Sequence, residues 1–130
     1  MTVGQENISI TNTTKGKLPR LPFVEYKNKI LGKKYELGII FASSTLSHKL
    51  NLEYRKKDKP TNILSFPLSK TEGEIYICPA VARTEAKKFG RTYEKFVGLL
   101  VIHGLLHLKG FTHGSTMESE EARYRKIFDI

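Results

Sequence analysis

The chain has 130 residues, enough for one hydrophobic core and too few for two, so we expect a single domain over residues 1–130. The formal net charge of +9 favours a polyanionic partner, nucleic acid ahead of a membrane surface. The single cysteine, Cys78, excludes a disulfide scaffold, so no disulfide partner is expected. Neither a signal peptide nor a membrane span is expected, because residues 1–30 contain no apolar stretch and the longest apolar run, residues 96–108, is short. We therefore expect a soluble intracellular protein.

Nine helices and strands follow from the apolar periodicity and the turn residues, in the order β-α-β-α-β-β-α-α-α. Ser43 or Ser44 is placed to cap the second helix, and Gly90 and Gly110 are placed to end the third and fourth. The predicted strands are residues 8–12, 35–41, 63–66 and 74–78, and the predicted helices are residues 21–30, 44–51, 79–89, 93–109 and 117–128. This order predicts an α+β fold, in which about five helices pack on a small, mixed, four-stranded sheet.

The positive charge is concentrated in the first half of the chain. Residues 1–60 contain 12 Lys and Arg against 5 Asp and Glu, a net charge of +7, whereas residues 61–130 carry +2. The densest run, Arg55-Lys56-Lys57-Asp58-Lys59, ends at Pro60 and leads directly into a predicted strand. Such runs are usually solvated loops, but this one is placed where it could overhang a site.

Three of the four histidines, His103, His107 and His113, lie within eleven residues. On a helix, residues i and i+4 project from one face about 6 Å apart along the axis, so His103 and His107 can share a metal ion. A turn at Gly110 can bring His113 back as a third ligand. Imidazole suits zinc, and three protein ligands leave the fourth coordination position open, as catalytic zinc sites require. The pattern therefore predicts one Zn²⁺ held by His103, His107 and His113.

The competing interpretation is that these histidines fill a core or decorate a surface. Their helix is apolar on all sides, which indicates burial, and two buried imidazoles need partners that a metal ion would supply. The helix is zincin-like, since its spacing is that of the extended zinc-protease pattern, but Gly104 stands where that pattern has its glutamate base. Because glycine accepts no proton, peptide hydrolysis by the usual mechanism is not expected.

Three segments of the chain together resemble the YbeY family of bacterial single-strand-specific metallo-endoribonucleases. They are residues 51–67, which end in Lys-Pro-Thr-Asn-Ile-Leu-Ser-Phe-Pro, residues 73–78, and the histidine segment 103–113 with its Gly110-Phe111 turn. These segments follow the order of the family and extend over about half of the chain. The first and third are together highly specific.

The resemblance implies one zinc-dependent endoribonuclease domain that acts in the cytoplasm. It implies a role in ribosomal RNA processing, including maturation of the 3′ end of 16S ribosomal RNA, and in late ribosome quality control, with single-stranded RNA and the ribosome as partners. The family's zinc ligands correspond to His103, His107 and His113, and its functionally important arginine corresponds to Arg55. Thr112 is a departure, because the family commonly has Asp before the third histidine, so a carboxylate near the metal could be missing here.

The residues of the basic segment suit this chemistry. Arg55 offers a planar donor fork that matches a phosphate and could stabilise charge that develops on its oxygens. Three lysines would attract an RNA backbone irrespective of its sequence, namely Lys56, Lys57 and Lys59. Tyr54 or Phe66 could stack on bases, although an aromatic side chain in or beside an apolar strand is more often part of the core.

Two other functions remain open at this point. A zinc protease or amidase of the zincin type is opposed by Gly104 and by the positive charge. A ribosome-associated RNA-binding protein with a structural zinc would need a fourth protein ligand, which Glu120 or Glu121 on the last predicted helix could supply. An open fourth position would favour the enzyme.

Overall fold

A five-stranded mixed sheet forms the centre of the fold. The computed structural model describes residues 2–5 and 7–130, with side chains described from residue 7 onward. The strands are β1 (Thr2–Gln5), β2 (Ile8–Asn12), β3 (Glu36–Phe41), β4 (Ile63–Ser69) and β5 (Glu72–Ile77). The helices are α1 (Phe23–Ile30), α2 (Ser44–Arg55), α3 (Pro79–Lys88), α4 (Tyr93–Lys109) and α5 (Ser115–Phe128).

The strands lie in the order β1-β2-β3-β5-β4. The two central pairs, β2 with β3 and β3 with β5, are parallel, whereas the outer pairs, β1 with β2 and β5 with β4, are antiparallel. The parallel β3–β5 pair requires a long connection, which α2 and β4 provide. Strand β4 is therefore left at one edge of the sheet, and this edge contributes to the site described below.

The predicted α+β class, the mixed sheet and the five helices are confirmed. All four predicted strands are present, and the sheet has one strand more, β1, than the four expected. This strand has four residues, includes Gly4 and lacks the apolar alternation that marks a strand in the sequence. It forms through antiparallel pairing with β2, from Thr2 opposite Thr11 to Gln5 opposite Ile8, which is a tertiary signal.

The long helix α4 is packed into the core and contacts most of the other elements. It begins at the Thr92 cap, whose side chain accepts a hydrogen bond from the Lys95 backbone N–H. It packs against β4, β5, α1, α3 and α5. Its fully buried apolar side chains, each of which contributes about 1.5–3 kcal/mol to stability, are Val97, Val101, Ile102, Leu105 and Leu106.

A close approach between α4 and the sheet sets the position of this helix. A Cβ atom placed on Gly104 would lie 2.8 Å from Cδ1 of Ile63 and 3.0 Å from Oγ of Ser65. Ser65 also donates a hydrogen bond to the Gly104 carbonyl at 3.3 Å. Glycine at this position lets the helix backbone lie directly on β4, which brings the neighbouring residue His103 to the edge of the sheet.

Candidate metal centre

The structure brings the three predicted ligands together at the end of α4. Their candidate ligand atoms all lie within 4.8 Å of one another. Gly110 ends the helix with a φ of 111°, in the left-handed region, and the Phe111 N–H donates to the Leu106 carbonyl at 3.0 Å. The chain therefore reverses within a few residues and returns His113 to the face that carries His103 and His107. This is the geometry that the histidine spacing predicted.

The ring orientations of His103 and His107 are fixed by partners of their Nδ1 atoms. Nδ1 of His107 lies 3.1 Å from the Phe111 carbonyl oxygen, which can only accept, so this nitrogen is the donor. Nδ1 of His103 lies 2.5 Å from Oε1 of Glu121 on α5, and a carboxylate likewise accepts. In both rings Nδ1 thus carries a proton, and Nε2 is the nitrogen that faces the other histidines.

The two Nε2 atoms are 3.1 Å apart and face each other. Burial, with a further contribution from the neighbouring His103, lowers the pKa of His107 below its ordinary value of 6.5. Neutral His107, with its proton on Nδ1, presents its Nε2 lone pair to the point that Nε2 of His103 also faces, an arrangement that a bound cation would stabilise. Metal-ligating histidines have this outer hydrogen bond to a carboxylate or carbonyl. The residues present therefore fit a metal ion that prefers imidazole nitrogen, such as Zn²⁺.

Glu121 has a role that the sequence analysis did not identify. It had been considered only as a fourth metal ligand, whereas its carboxylate binds the far nitrogen of His103. In the described part of the chain, only the three histidines meet as candidate ligands. Glu121 is four residues after Met117 and three before Tyr124, so it lies on the helix face that these buried residues share. An acid on such an apolar face needs a partner, and this was the signal in the sequence.

His113 is held less firmly than the other two histidines. It is exposed, it lies on the segment after α4, and no described residue donates to or accepts from its ring by a hydrogen bond. Thr112, its neighbour, is also exposed and provides no carboxylate. The ring is nevertheless 4.8 Å, centroid to centroid, from His107 and 5.2 Å from His103. The third candidate ligand thus lies beside the other two, without the outer hydrogen bond that fixes their rings.

The histidines open onto a groove with a cavity volume of about 970 Å³. One side, the histidine side, consists of α4, α5 and the 110–113 turn, and the other, the cationic side, consists of the end of α2 and the basic loop 56–59. Residues 61–67, which include the first part of the edge strand β4, form the floor. Apart from the histidines, the charged residues that line the groove are Arg55, Lys57, Lys59, Arg125 and Glu121. Since Glu121 binds His103, a ligand in the groove meets mainly positive charge.

The sequence prediction that the basic run overhangs a site is confirmed for Arg55, Lys57 and Lys59, whereas Lys56 does not line the groove. The Arg55 side chain forms no hydrogen bond or ion pair with another described residue and is exposed. On the histidine side, Nε of Arg125 is buried without a hydrogen-bond partner among the described residues. Arg55 thus has guanidinium donors available to a ligand, and Arg125 adds positive charge on the other side of the groove.

The backbone of the basic loop is fixed by buried polar residues of α2. Ser47 Oγ donates to the Thr61 carbonyl at 2.8 Å and accepts from the Thr61 N–H at 2.9 Å. Asn51 donates to the Lys59 carbonyl at 2.8 Å. At the surface, Nε2 of the partly exposed His48 lies 2.6 Å from Oδ1 of the exposed Asp58. These anchors, which the sequence analysis did not identify, hold the loop in place while its cationic side chains stay exposed.

The chain as a whole matches a known protein family. A family model described as "Endoribonuclease YbeY" matches residues 3–128. The chain belongs to the YbeY family. A Thermotoga neapolitana protein named "Endoribonuclease YbeY" is 36% identical to this chain, and the match covers 94% of this chain and 82% of the relative. A Campylobacter jejuni protein of the same name is 40% identical, and the match covers 83% of this chain and 86% of the relative. A Thermotoga maritima relative of that name is 37% identical, and the match covers 72% of this chain and 61% of the relative's length.

A solved structure of similar fold also comes from Thermotoga maritima. This solution structure matches 94% of the present chain and 89% of its own, with a TM-score of 0.65 and 30% sequence identity. The resemblance to the YbeY family that the sequence indicated is therefore confirmed. No helix among the described residues is both long and apolar enough to cross a membrane. The lone cysteine, Cys78, is buried.

Gly104 separates this YbeY-family site from that of a zinc protease in a second way. Besides lacking the proton acceptor, position 104 has no space for a glutamate, because even a Cβ atom meets Ile63 and Ser65. The position faces the sheet and is not among the residues that line the groove. A protease mechanism would thus have neither its base nor a place for it.

Proposed function

We propose that this chain is an endoribonuclease that cleaves single-stranded RNA in the groove, with one Zn²⁺ held by His103, His107 and His113. The observation that supports this most strongly is the pair of Nε2 atoms, 3.1 Å apart, whose rings are oriented by Phe111 and Glu121. A bound Zn²⁺ would supply Lewis-acid chemistry to the phosphate at the scissile bond. Membership of the YbeY family, whose curated relatives are named endoribonucleases, supports RNA as the substrate.

The side chains of the groove have separate tasks in this proposal. Arg55 directs its guanidinium fork to the scissile phosphate and stabilises the charge that develops on its oxygens. Lys57 and Lys59 attract neighbouring phosphates of the strand. Arg125 lines the histidine side, where its positive charge attracts phosphate. Glu121 keeps the His103 ring in the orientation that ligation needs.

We further propose the biological setting that the family resemblance implies. The chain acts as one domain in the cytoplasm on ribosomal RNA, including the 3′ end of 16S ribosomal RNA, and takes part in late ribosome quality control. The positive charge of the chain supports a ribosomal RNA partner, because electrostatic attraction to phosphate is independent of sequence.

The test is cleavage of an end-labelled single-stranded RNA by purified protein. Three preparations are compared: the unmodified protein, the His107→Ala variant, and protein that was treated with a chelator and then resupplied with Zn²⁺. The proposal predicts cleavage by the first, none by the second, and loss and recovery in the third. Cleavage that survives both the substitution and the chelator would contradict it, because such cleavage depends neither on His107 nor on a metal ion and would come from a contaminating nuclease.

The same preparations address the two alternatives. A protease would degrade an unstructured protein in a His107-dependent manner, and the closed position 104 argues against it. A binding protein with structural zinc would retain RNA without cleaving it and would close the metal with a fourth protein ligand. The contact of Glu121 with Nδ1 of His103 argues against that closure.

A further inference from the structure

An exposed aromatic ring lies in the groove beside Arg55. Tyr54, in the last turn of α2, is 59% exposed and lines the groove together with Arg55 and Phe66. The nearby apolar strand favours a core position for this aromatic side chain over base stacking, and for Tyr54 that prediction is wrong. An exposed ring of this size leaves apolar area in water, which a flat apolar ligand could cover.

The ring of Tyr54 is supported by a row of aromatic residues. The Tyr76 ring on β5 packs edge-to-face on Phe66 of β4, at 5.5 Å between centroids and an interplanar angle of 82°. Phe66 in turn packs on Tyr54 at 5.0 Å and 65°. An edge-to-face contact covers only part of a ring. Tyr54 is therefore held by the sheet on one side and remains open to the groove on another.

The charges around this ring specify what kind of ligand fits. Arg55 is its neighbour in the chain, and Lys57 and Lys59 line the same groove. The only acid that lines the groove in the described part of the chain is Glu121, whose carboxylate binds His103. A ligand that combines a flat aromatic face with negative charge meets both conditions, and a nucleotide is such a ligand.

We propose that Tyr54 is a nucleobase-stacking site, which holds one base of the RNA strand next to the phosphate bound by Arg55. This inference rests on the proposed function and adds a position for a base to it. It also gives a physical reason for a preference for single strands. In a duplex both faces of each base are covered by its neighbours, so only an unpaired base can offer a face to Tyr54.

The chain contains no tryptophan, which allows a direct optical test. The Tyr54→Trp variant places the only tryptophan of the chain at the proposed stacking site, where its emission can be excited selectively. A matched control is Phe89→Trp, since Phe89 is 67% exposed but is not among the residues that line the groove. Each variant is titrated with an oligonucleotide of 2′-O-methyl ribose and with an abasic oligomer of equal length and charge, and both ligands are checked afterwards for integrity.

Stacking predicts that the base-containing oligonucleotide quenches the emission of Tyr54→Trp strongly and that the abasic oligomer does not. The emission of Phe89→Trp should remain unchanged with both. In addition, Tyr54→Ala should bind single-stranded RNA about 5- to 150-fold more weakly, whereas Tyr54→Phe should bind it as the unmodified protein does. Because Tyr54→Phe keeps the ring that packs on Phe66, this variant should unfold at the same temperature as the unmodified protein.

Equal quenching by the abasic oligomer, or unchanged RNA binding by Tyr54→Ala, would overturn the stacking site. If the unmodified protein still cleaves RNA in either case, only this inference fails and the proposed function stands. If the unmodified protein neither binds nor cleaves single-stranded RNA, the proposed function fails, and the stacking site fails with it.

Discussion

The two sides of the groove are built on opposite principles. On the histidine side, His103 and His107 project from a buried helix, and the outer nitrogen of each ring has a protein partner. On the cationic side, the protein fixes the backbone of the loop through Ser47 and Asn51 but leaves the side chains of Arg55, Lys57 and Lys59 exposed. A rigid ligand frame suits metal chemistry, which tolerates little displacement, whereas exposed cations adapt to a flexible strand.

This contrast predicts an all-or-none response on the histidine side. His107→Ala removes a ligand and should lower both zinc content and RNA cleavage to the level of chelator-treated protein, a loss of about 100-fold or more. Zinc per chain and cleavage rate are measured on the same preparation. The His48→Ala variant is the control for zinc content, since it removes the one histidine outside the groove-lining residues. A His107→Ala protein that keeps full zinc content would contradict the ligand assignment.

Arg55→Ala should separate catalysis from metal binding. We expect turnover to fall by about 100- to 1000-fold, because a donor to the charged transition state is lost, while zinc content stays unchanged. Arg55→Lys should recover only part of the rate, because an ammonium group lacks the planar fork. The decisive comparison is kcat at saturating RNA together with zinc content. A matching fall in zinc would mean that Arg55 supports the metal centre instead.

Glu121→Ala tests whether the outer carboxylate matters for metal affinity. Loss of the partner of His103 Nδ1 should weaken zinc binding by about 10- to 100-fold, as competition with a chromogenic chelator would measure. Glu120→Ala is the matched control, since Glu120 is the next residue in the chain and its Oε2 lies 2.8 Å from Nη2 of Arg123 on the surface. Equal zinc affinity in the two variants would remove Glu121 from the metal centre.

The smallest effects are expected for the lysines of the cationic side. Lys57→Ala and Lys59→Ala should each weaken RNA binding a few-fold and reduce the slope of log affinity against log salt by about 0.7. Lys88→Ala, an exposed residue at the end of α3, is the control with the same charge change. A change in cleavage rate at saturating RNA, with no change in salt slope, would show that the lysines do more than attract the backbone.

The same contrast explains what the sequence could predict. The histidine triad and the Gly110 turn depend on residues within eleven positions, so helical spacing was sufficient to place them. The role of Glu121 depends on the packing of α5 against α4, and local periodicity gives no distance between two helices. Strand β1 was missed for a similar reason, because its pairing partner and not its own sequence defines it.

The sequence predicted the positive charge of the cationic side but not the hydrogen bonds that hold its loop. The run of basic residues was visible, whereas its anchors on α2 join residues that are eight to fourteen positions apart through side-chain hydrogen bonds. For Tyr54 the core was favoured over base stacking, because the residue stands near an apolar strand. Exposure is decided by where α2 ends relative to β4, which no pattern of residue types records.

The central claim is an open metal centre of three histidines supported from behind by Glu121. Anomalous diffraction at the zinc absorption edge, from crystals of the protein grown with Zn²⁺, would test it most directly. We expect one ion bound by Nε2 of His103, Nε2 of His107 and a ring nitrogen of His113, with Glu121 still on Nδ1 of His103. Absence of an ion between these rings, or a Glu121 carboxylate bound to it, would contradict the account.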